Sequence, residues 1–367
     1  MKKIALIITN FDRLISKHGI KGGGSHVLKN LMLNWAENPD VTLDIYCTYT
    51  STYEYQGINK ITKIPLSQYE NIENFVEALK KQTVNQNYNN ILFGEVIAPY
   101  GSVLLQAHSF IYRYDLYGGF LSKFFKKTKK TKIISQKERF SNENNIYIAM
   151  SEKIKDDYST NFDIPKERIF VVYPGTEVPE KIEKTSGRSI KFGIVGSSNP
   201  NKGSYRFLKA LSLVKKKHKN IEAVMICNNY KRLYWLRFLI WLYNVKSNIN
   251  ILDFQSDMSN FYQKVDCIVM PSRHEAFGLV ALEGASYQSI PLVSSNTGFA
   301  EIITEGENGF TFDINKRGIK NLAQQMENIV DLYYKNPELF NQISKNAHEL
   351  SKKYTWKGFS EKILNLL

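Results

Sequence analysis

Short apolar runs alternate with stretches of helical spacing along most of the chain. Lys3–Thr9 is a strand candidate, Ser25–Trp35 has the spacing of a helix, and Thr42–Cys47 is again strand-like. Further strand candidates follow at Asn90–Phe93, Val103–Ala107, Ile146–Met150 and Ile169–Val172. Because strands that alternate with helices form parallel sheets covered on both faces, the pattern predicts an α/β fold.

The alternation lapses once, over Glu177–Ser189, where charged residues with a proline and a glycine predict a linker. Strand candidates resume at Lys191–Val195, Ile249–Asp253, Cys267–Met270 and Pro291–Val293. We therefore expect two Rossmann-like, doubly wound domains over residues 1–183 and 189–367, with the last helix, about 355–367, packed back on the first domain. Ligands of such sheets bind beyond the carboxyl ends of the strands, so two facing halves predict a cleft between the domains.

The composition is that of an ordinary globular protein and excludes the disordered and fibrous classes, because 43% of the 367 residues are hydrophobic and 23% are charged. The three cysteines lie in apolar runs without metal-ligand spacing, which predicts buried thiols in a reducing compartment. No signal peptide is recognisable, and the most hydrophobic stretch, Leu233–Tyr243, is too short to span a bilayer. We therefore expect a soluble, cytoplasmic protein.

The net charge of +14 is concentrated in two basic patches, which predict an anionic partner surface. Residues 120–139 carry eight Lys and Arg against one acid, and residues 202–246 carry eleven against one. In the first patch, apolar residues beside a lysine run are typical of helices that lie on anionic membranes, although a solvated helix face is the alternative. The lysines expected to bind a membrane are Lys126, Lys127, Lys129 and Lys130. Residues 228–246 mix aromatic side chains with Lys and Arg. This mixture is typical of a membrane interface, of a surface that binds single-stranded nucleic acid, or of a half-buried helix in the domain.

The segment with the clearest chemistry, PSRHEAFGLVALEG at 271–284, follows a strand candidate and opens a helix. Glu275 and Glu283 are eight positions apart, about 80° around an ideal helix, so both can point into one pocket if Glu275 lies in the loop ahead of it. The helix N-terminus there suits a phosphate, and Gly278 lets the backbone approach a ligand closely. The Glu283 carboxylate can accept two hydroxyl hydrogen bonds, as from a ribose.

This segment, with its continuation IPLVSSNTGFAEIITEGENGFTF, closely resembles the E-x7-E region of family 4 glycosyltransferases of the bacterial polysaccharide and lipopolysaccharide type. The resemblance implies the GT-B fold, a nucleotide-sugar bound to the C-terminal domain, and sugar transfer with retention of anomeric configuration. It implies that Glu283 binds the donor ribose and that Glu275 lies beside the transferred sugar as a catalytic residue. The backbone that meets the sugar and diphosphate is that of Phe277, Gly278 and Leu279.

Two glycine-containing loops also match places where the family binds its donor. The segment GSSNPNKG, from Gly196 to Gly203, resembles the family's G-R-x4-K-G, in which Arg and Lys neutralise the diphosphate. Lys202 matches the Lys, whereas Ser197 stands where Arg is usual. The second loop precedes the first long helix candidate, and its backbone amides can cradle an anion. The resemblance assigns to the donor site the glycines of this loop, Gly22, Gly23 and Gly24.

His108 follows a predicted buried strand, at the edge of a sheet where sites form. The resemblance implies a pocket histidine here, which contacts the donor sugar and the transition state rather than acting as a general base. D-x-D is absent from the sequence, so the metal-chelating pair of the other large glycosyltransferase fold is missing. We therefore expect no metal and no cofactor, with positive charge and a helix dipole stabilising the leaving diphosphate.

The sequence thus predicts a retaining, metal-independent glycosyltransferase at the inner face of the cell membrane. Its donor is a nucleoside diphosphate sugar, with UDP-sugars favoured by their frequency in the family, and its acceptor is a lipid-linked or cell-surface polysaccharide. Two other enzyme types with this fold, a sugar-nucleotide epimerase and a phosphorylase, are alternatives. A basic nucleic-acid-binding module is the alternative from another functional class.

Overall fold

The computed structural model describes residues 1–16, 22–69, 72–94, 100–105, 145–184, 187, 189–196, 199–315 and 317–367. The chain divides into two compact units. The N-terminal unit comprises Met1–Pro174 together with Trp356–Leu367, and the C-terminal unit comprises Gly175–Thr355. The chain therefore changes unit at Pro174, ahead of the predicted break at 183–189, and changes back after Thr355.

The N-terminal unit is built on a parallel sheet. Its described strands are β1 Lys2–Asn10, β2 Val41–Tyr49, β3 Lys60–Lys63, β4 Asn90–Phe93, β5 Ser102–Leu105, β6 Tyr147–Ala149 and β7 Ile169–Val171. They pair in the order β3-β2-β1-β4-β5-β6-β7, and every pair is parallel. The helices described here are α1 Phe11–Leu14, α2 Gly23–Ala36, α3 Ile72–Thr83 and α4 Glu152–Phe162. All five residues of Ile4–Ile8 in β1 are buried, as expected for a central strand covered on both faces.

The C-terminal unit repeats this architecture. Its strands are β8 Ile190–Val195, β9 Ile221–Ile226, β10 Ile249–Leu252, β11 Cys267–Met270, β12 Ile290–Ser294 and β13 Phe310–Phe312. They form a parallel sheet in the order β10-β9-β8-β11-β12-β13. The helices of this unit are α5 Ser204–Lys215, α6 Tyr234–Leu242, α7 Ser259–Lys264, α8 Leu279–Ser286, α9 Gly318–Lys335 and α10 Pro337–Lys352. Two parallel, doubly wound sheets confirm the predicted fold class.

The order of the C-terminal strands determines where a ligand can bind. β8 lies between β9 and β11, and the chain reverses its direction of growth across the sheet at the β8–β11 pair. The loops that leave these two neighbouring strands part to opposite sides of the sheet, which is the usual position of a binding crevice in such folds. The loop after β8 carries Lys202, and the loop after β11 carries Glu275.

The predicted linker has neither helix nor strand in the part the structure describes between Glu177 and Lys184. Lys184 fixes it to the C-terminal unit, because its ammonium donates to the Tyr262 carbonyl at 3.1 Å and to the Ser289 hydroxyl at 2.8 Å. Burial lowers the pKa of Lys184 to about 8. The segment is thus held in place by an anchored lysine rather than by regular secondary structure.

The last helix, α11 Trp356–Leu366, belongs to the N-terminal unit, where it packs on α2. The indole N–H of Trp35, a fully buried side chain of α2, donates to the Ser360 carbonyl at 3.2 Å. The rings of His26 and Trp356 lie 5.4 Å apart between the same two helices. In the described ranges, no helix is both long enough and apolar enough to cross a bilayer.

We predict that Gly284→Ala destabilises the C-terminal unit. A Cβ on Gly284 would lie 2.3 Å from Cγ1 of Ile268, in the contact between α8 and β11. Overpacking of this kind costs about 1–3 kcal/mol of unfolding free energy, measurable by urea denaturation. The matched control is Gly318→Ala, whose Cβ would make only ordinary contacts at 3.6 Å and which should leave the unfolding free energy nearly unchanged. Equal stability of Gly284→Ala and the parent protein would contradict this account of the α8–β11 packing.

Candidate active site

The loops after β8 and β11 are joined by backbone and side-chain hydrogen bonds of Asn201. Its amide Nδ2 donates to the His274 carbonyl at 2.6 Å, and its Oδ1 accepts from the His274 N–H at 3.1 Å. The Arg273 N–H donates to the Asn201 carbonyl at 2.8 Å. Three hydrogen bonds therefore fix the loop that carries Lys202 against the loop that carries Glu275.

Gly203 is required where the two loops meet. Its φ of +73° lies in the left-handed region, and a Cβ there would be 2.1 Å from the carbonyl oxygen of Pro271. Only glycine combines this backbone conformation with so close an approach. The Lys202-Gly203 pair in the sequence thus corresponds to a chain turning tightly over the end of β11.

Lys202 and Glu275 form an ion pair with 2.6 Å between Nζ and Oε2. Both side chains are partly exposed, so the pair contributes little to stability and remains accessible to a ligand. The backbone of Glu275 is held by a parallel bridge to Thr297 and by the Gly298 N–H, which donates to its carbonyl. The structure therefore brings together two of the predicted site residues.

The amino end of α8 lies next to this pair along the chain. Gly278 is the N-cap, with φ +116°, and no side chain caps the helix there. The Phe277 ring is buried and packs edge-on against Phe299, with centroids 5.7 Å apart. The buried ring of Phe277 and the absence of a side chain on Gly278 leave their backbone as what these two residues can offer a ligand, and the donor-binding role of Phe277, Gly278 and Leu279 stays a prediction.

Glu283 lies on the second turn of α8 and accepts a hydrogen bond from the hydroxyl of Tyr262 on α7. Tyr262 in turn stacks on Tyr287, with ring centroids 5.6 Å apart. Burial raises the pKa of Glu283 to about 7, against the opposing effect of the Tyr262 hydrogen bond. This carboxyl group therefore changes its charge near neutral pH.

Tyr262 and Asn201 are site residues that the sequence did not reveal. Tyr262 lies twenty-one positions before Glu283, on another helix, and a single tyrosine carries no motif. Asn201 stands in a plain Pro-Asn-Lys turn, and its only signal was its place directly before Lys202. Both act through contacts between distant segments of the chain.

The remaining predicted residues fall in three groups. Gly196 directly follows β8 and precedes the segment that carries Lys202, and its N–H donates to the Ile226 carbonyl at 2.8 Å. Gly22, Gly23 and Gly24 are at the start of α2 in the other unit, where Gly22 has φ +112°. The residues outside the described ranges are Ser197, His108, Lys126, Lys127, Lys129 and Lys130. Among the described residues, no cluster of three or more His, Cys, Asp or Glu could hold a metal ion.

The chain is similar to known glycosyltransferases in sequence and in fold. Residues 177–350 match the family described as Glycosyl transferases group 1. The chain is 29% identical over 221 residues to the uncharacterised glycosyltransferase MJ1178 of Methanocaldococcus jannaschii, which covers 57% of this chain and 55% of that protein. The chain spans about half the length of the curated relatives it matches.

Two solved structures share the fold. WaaG, a glycosyltransferase involved in lipopolysaccharide biosynthesis, has a TM-score of 0.75 at 14% identity, over 99% of both chains. HepE of Anabaena, solved in complex with UDP-glucose, has a TM-score of 0.73 at 15% identity, over 100% of this chain and 99% of its own. Residues 177–350, just under half of the chain, thus match the predicted glycosyltransferase family, and the two doubly wound units have the predicted GT-B fold.

Proposed function

We propose that this protein transfers a sugar from a nucleoside diphosphate sugar, with a UDP-sugar favoured, to a lipid-linked or cell-surface polysaccharide acceptor. The transfer retains the anomeric configuration and requires no metal. The observation that carries the proposal is the Lys202–Glu275 ion pair beside the uncapped amino end of α8. In this arrangement a cation and a helix N-terminus are available to one anionic group, and a carboxylate is next to them.

The leaving group of such a reaction is a nucleoside diphosphate, whose negative charge increases as the bond to the sugar breaks. Lys202 and the N–H groups at the amino end of α8 are positioned to stabilise that charge. A bound diphosphate would compete with Glu275 for the Lys202 ammonium. Glu275 would then be free to contact a sugar hydroxyl, which links donor binding to the arrangement of the catalytic carboxylate.

Glu283 suits the ribose of the donor. An ionised carboxylate has more than one acceptor site, so it can keep the Tyr262 hydrogen bond while it accepts from a ribose hydroxyl. The likeness to HepE, a protein solved with UDP-glucose, supports uridine as the base. The likeness to WaaG, which is involved in lipopolysaccharide biosynthesis, supports a glycan acceptor. The role of His108 beside the transferred sugar stays a prediction.

We further propose that the protein works at the cytoplasmic face of a membrane and that α6 is a contact surface. The inner side of α6 is formed by Leu236 and Ile240, which are buried. Its outer side is also apolar, because Tyr234 is 75% exposed, Trp241 is 73% exposed and Phe238 lies between them along the helix. A soluble helix rarely exposes such a row of aromatic side chains without a partner.

The charges around α6 indicate the kind of partner. Lys231, Arg232 and Arg237 are exposed beside the aromatic row, and residues 228–246 contain no acid. Aromatic rings that enter the headgroup region, surrounded by cations, are typical of peripheral binding to anionic lipid. The sequence of 228–246 allowed several interpretations. In the structure, its aromatic and basic side chains form an exposed surface on the C-terminal unit.

The first prediction concerns the reaction. Incubated with UDP-glucose, UDP-galactose or UDP-N-acetylglucosamine, the protein should slowly hydrolyse one donor in EDTA, releasing UDP and initially the α-anomer of the sugar, as followed by proton NMR. Lys202→Ala should lower that rate at least tenfold, because it removes the cation at the diphosphate. Lys217→Ala, which breaks a comparable ion pair with Glu327, is the control and should change the rate less than twofold. Initial release of the β-anomer would refute retention, and dependence on added Mg²⁺ would refute metal independence.

The second prediction concerns the pH dependence of donor binding. The pKa of Glu283, about 7, lies above the ordinary carboxyl value, so its ionised fraction rises about tenfold between pH 6 and pH 8. Because the ionised form accepts the ribose hydroxyl, affinity for UDP-glucose, whose diphosphate does not titrate in this range, should rise by up to about tenfold over the same interval. Calorimetric titration should find this rise in the parent protein and a nearly flat profile in Glu283→Gln. An equal rise in both proteins would remove Glu283 from the ribose site.

The third prediction concerns membrane binding. A variant with both Phe238→Ser and Trp241→Ser should lose at least four-fifths of its flotation with vesicles of phosphatidylcholine and phosphatidylglycerol. Leu339→Ser, which changes an exposed apolar residue on α10, should float like the parent protein. Both variants should keep the donor hydrolysis rate. Unchanged flotation of the double variant, or preferential binding of single-stranded poly(U) by the α6 surface, would refute this role of α6.

A further inference from the structure

A cavity of about 480 Å³ in the C-terminal unit is lined by residues of α5, the loop after β11 and the amino end of α9. The polar side chains in its lining are those of Tyr205, Arg206, Arg273 and Asn315, and the rest of the lining includes Gly318 at the start of α9. Both charged side chains are cationic, and the described lining contains no acidic residue. A space with this lining is suited to an anion.

Arg206 is the unusual feature of this cavity, because it is only 7% exposed and yet pairs with no carboxylate of the described residues. Its Nη1 donates to the Pro271 carbonyl at 3.2 Å, and its guanidinium stacks on the Tyr205 ring at 4.6 Å. In the parts of the chain that the structure describes, neither Arg206 nor Arg273 forms an ion pair. Arginine is seldom buried to this degree unless its charge is compensated.

Arg273 adds a second positive charge to the same cavity. Burial lowers the pKa of Arg206, and the charge of Arg273 also acts in that direction. Two guanidinium groups that line one cavity repel each other in a partly desolvated space. An oxyanion between them would relieve the repulsion and supply the missing compensation, with the fork of each guanidinium able to bind two oxygens.

The amino end of α9 completes the cationic lining. This helix has eighteen residues, and its N-cap, Arg317, makes no side-chain hydrogen bond to the first turn. Gly318 and Ile319, the first residues of the helix, line the cavity. Asp313 is absent from the described lining, and its carboxylate accepts from the backbone N–H of Asn315 at 2.8 Å. The positive end of the α9 dipole therefore adds to the two arginines.

We propose that this cavity is an oxyanion site that binds a phosphate or diphosphate group between Arg206, Arg273 and the amino end of α9. The cavity adjoins the proposed catalytic residues. Arg273 is two positions before Glu275, and a Cβ on Gly203, next to Lys202, would lie 3.0 Å from Nη1 of Arg206. The anion can therefore be the donor diphosphate, an identification that rests on the proposed function, or a separate phosphate group such as that of a lipid-linked acceptor.

Calorimetric titration of the full chain with pyrophosphate, at low ionic strength, tests the site. Arg273→Gln should weaken pyrophosphate binding at least tenfold, and Arg206→Gln should do so in a protein shown by its thermal melt to be folded. Lys335→Gln, which removes an exposed cation at the carboxyl end of α9, is the control and should change the affinity less than twofold. Equal affinity in all these variants, or no binding to the parent protein, would overturn the proposal.

Competition distinguishes the source of the anion. If UDP displaces pyrophosphate, the cavity holds the donor diphosphate, whereas simultaneous binding of both identifies a separate phosphate site. The proposed donor and the oxyanion site can also fail independently. If pyrophosphate binding depends on the arginines but the protein has no affinity for UDP, the oxyanion site is supported and the proposal of a UDP-sugar donor is refuted. If UDP binds equally well to both arginine variants and pyrophosphate binding does not depend on either arginine, the oxyanion site is refuted and the proposed donor is supported.

Discussion

The approach of Gly203 to the carbonyl of Pro271 is the contact on which the geometry of the site depends. A side chain at position 203 would collide with that carbonyl oxygen at 2.1 Å, so the loop after β8 can lie on the end of β11 only with glycine there. Lys202 immediately before this contact meets Glu275, and Arg206 one turn after it meets the same Pro271 carbonyl. The Lys202–Glu275 ion pair and the cationic cavity are thus two consequences of a single close backbone approach.

The regular elements and the main motif could be predicted because each depends on residues that are close in sequence. The strand predicted at 191–195 forms over Ile190–Val195, and the E-x7-E segment has its first Glu in a loop and its second on α8. Within the stretch 228–246, one of whose interpretations was a helix, the α-helix covers only Tyr234–Leu242, because a 3-10 turn at Tyr230–Arg232 precedes it. Local patterns define an element well and its ends less well, since the ends are determined by neighbouring parts of the fold.

The electrostatic character of the site could not be predicted, because it arises from contacts between distant segments. The sequence places Glu283 in a motif but gives no sign that its pKa is raised, and Arg206 is one basic residue among eleven in residues 202–246. Only the fold buries Glu283 beside Tyr262 and raises its pKa, and only the fold encloses Arg206 beside Arg273. The exposed face of α6 could not be predicted either, because apolar residues on both sides of a helix do not show which side faces the core.

The assignment of α11 to the N-terminal unit has a consequence for biosynthesis. The ribosome makes residues 356–367 after the whole of the C-terminal unit, yet α2 needs them to cover Trp35 and to accept its indole hydrogen bond. During translation the C-terminal unit can therefore complete its sheet and its helices while the N-terminal unit still exposes an apolar surface on α2. The order of completion is the reverse of the usual N-terminal-first sequence, and the nascent N-terminal unit is the part that most needs protection from aggregation.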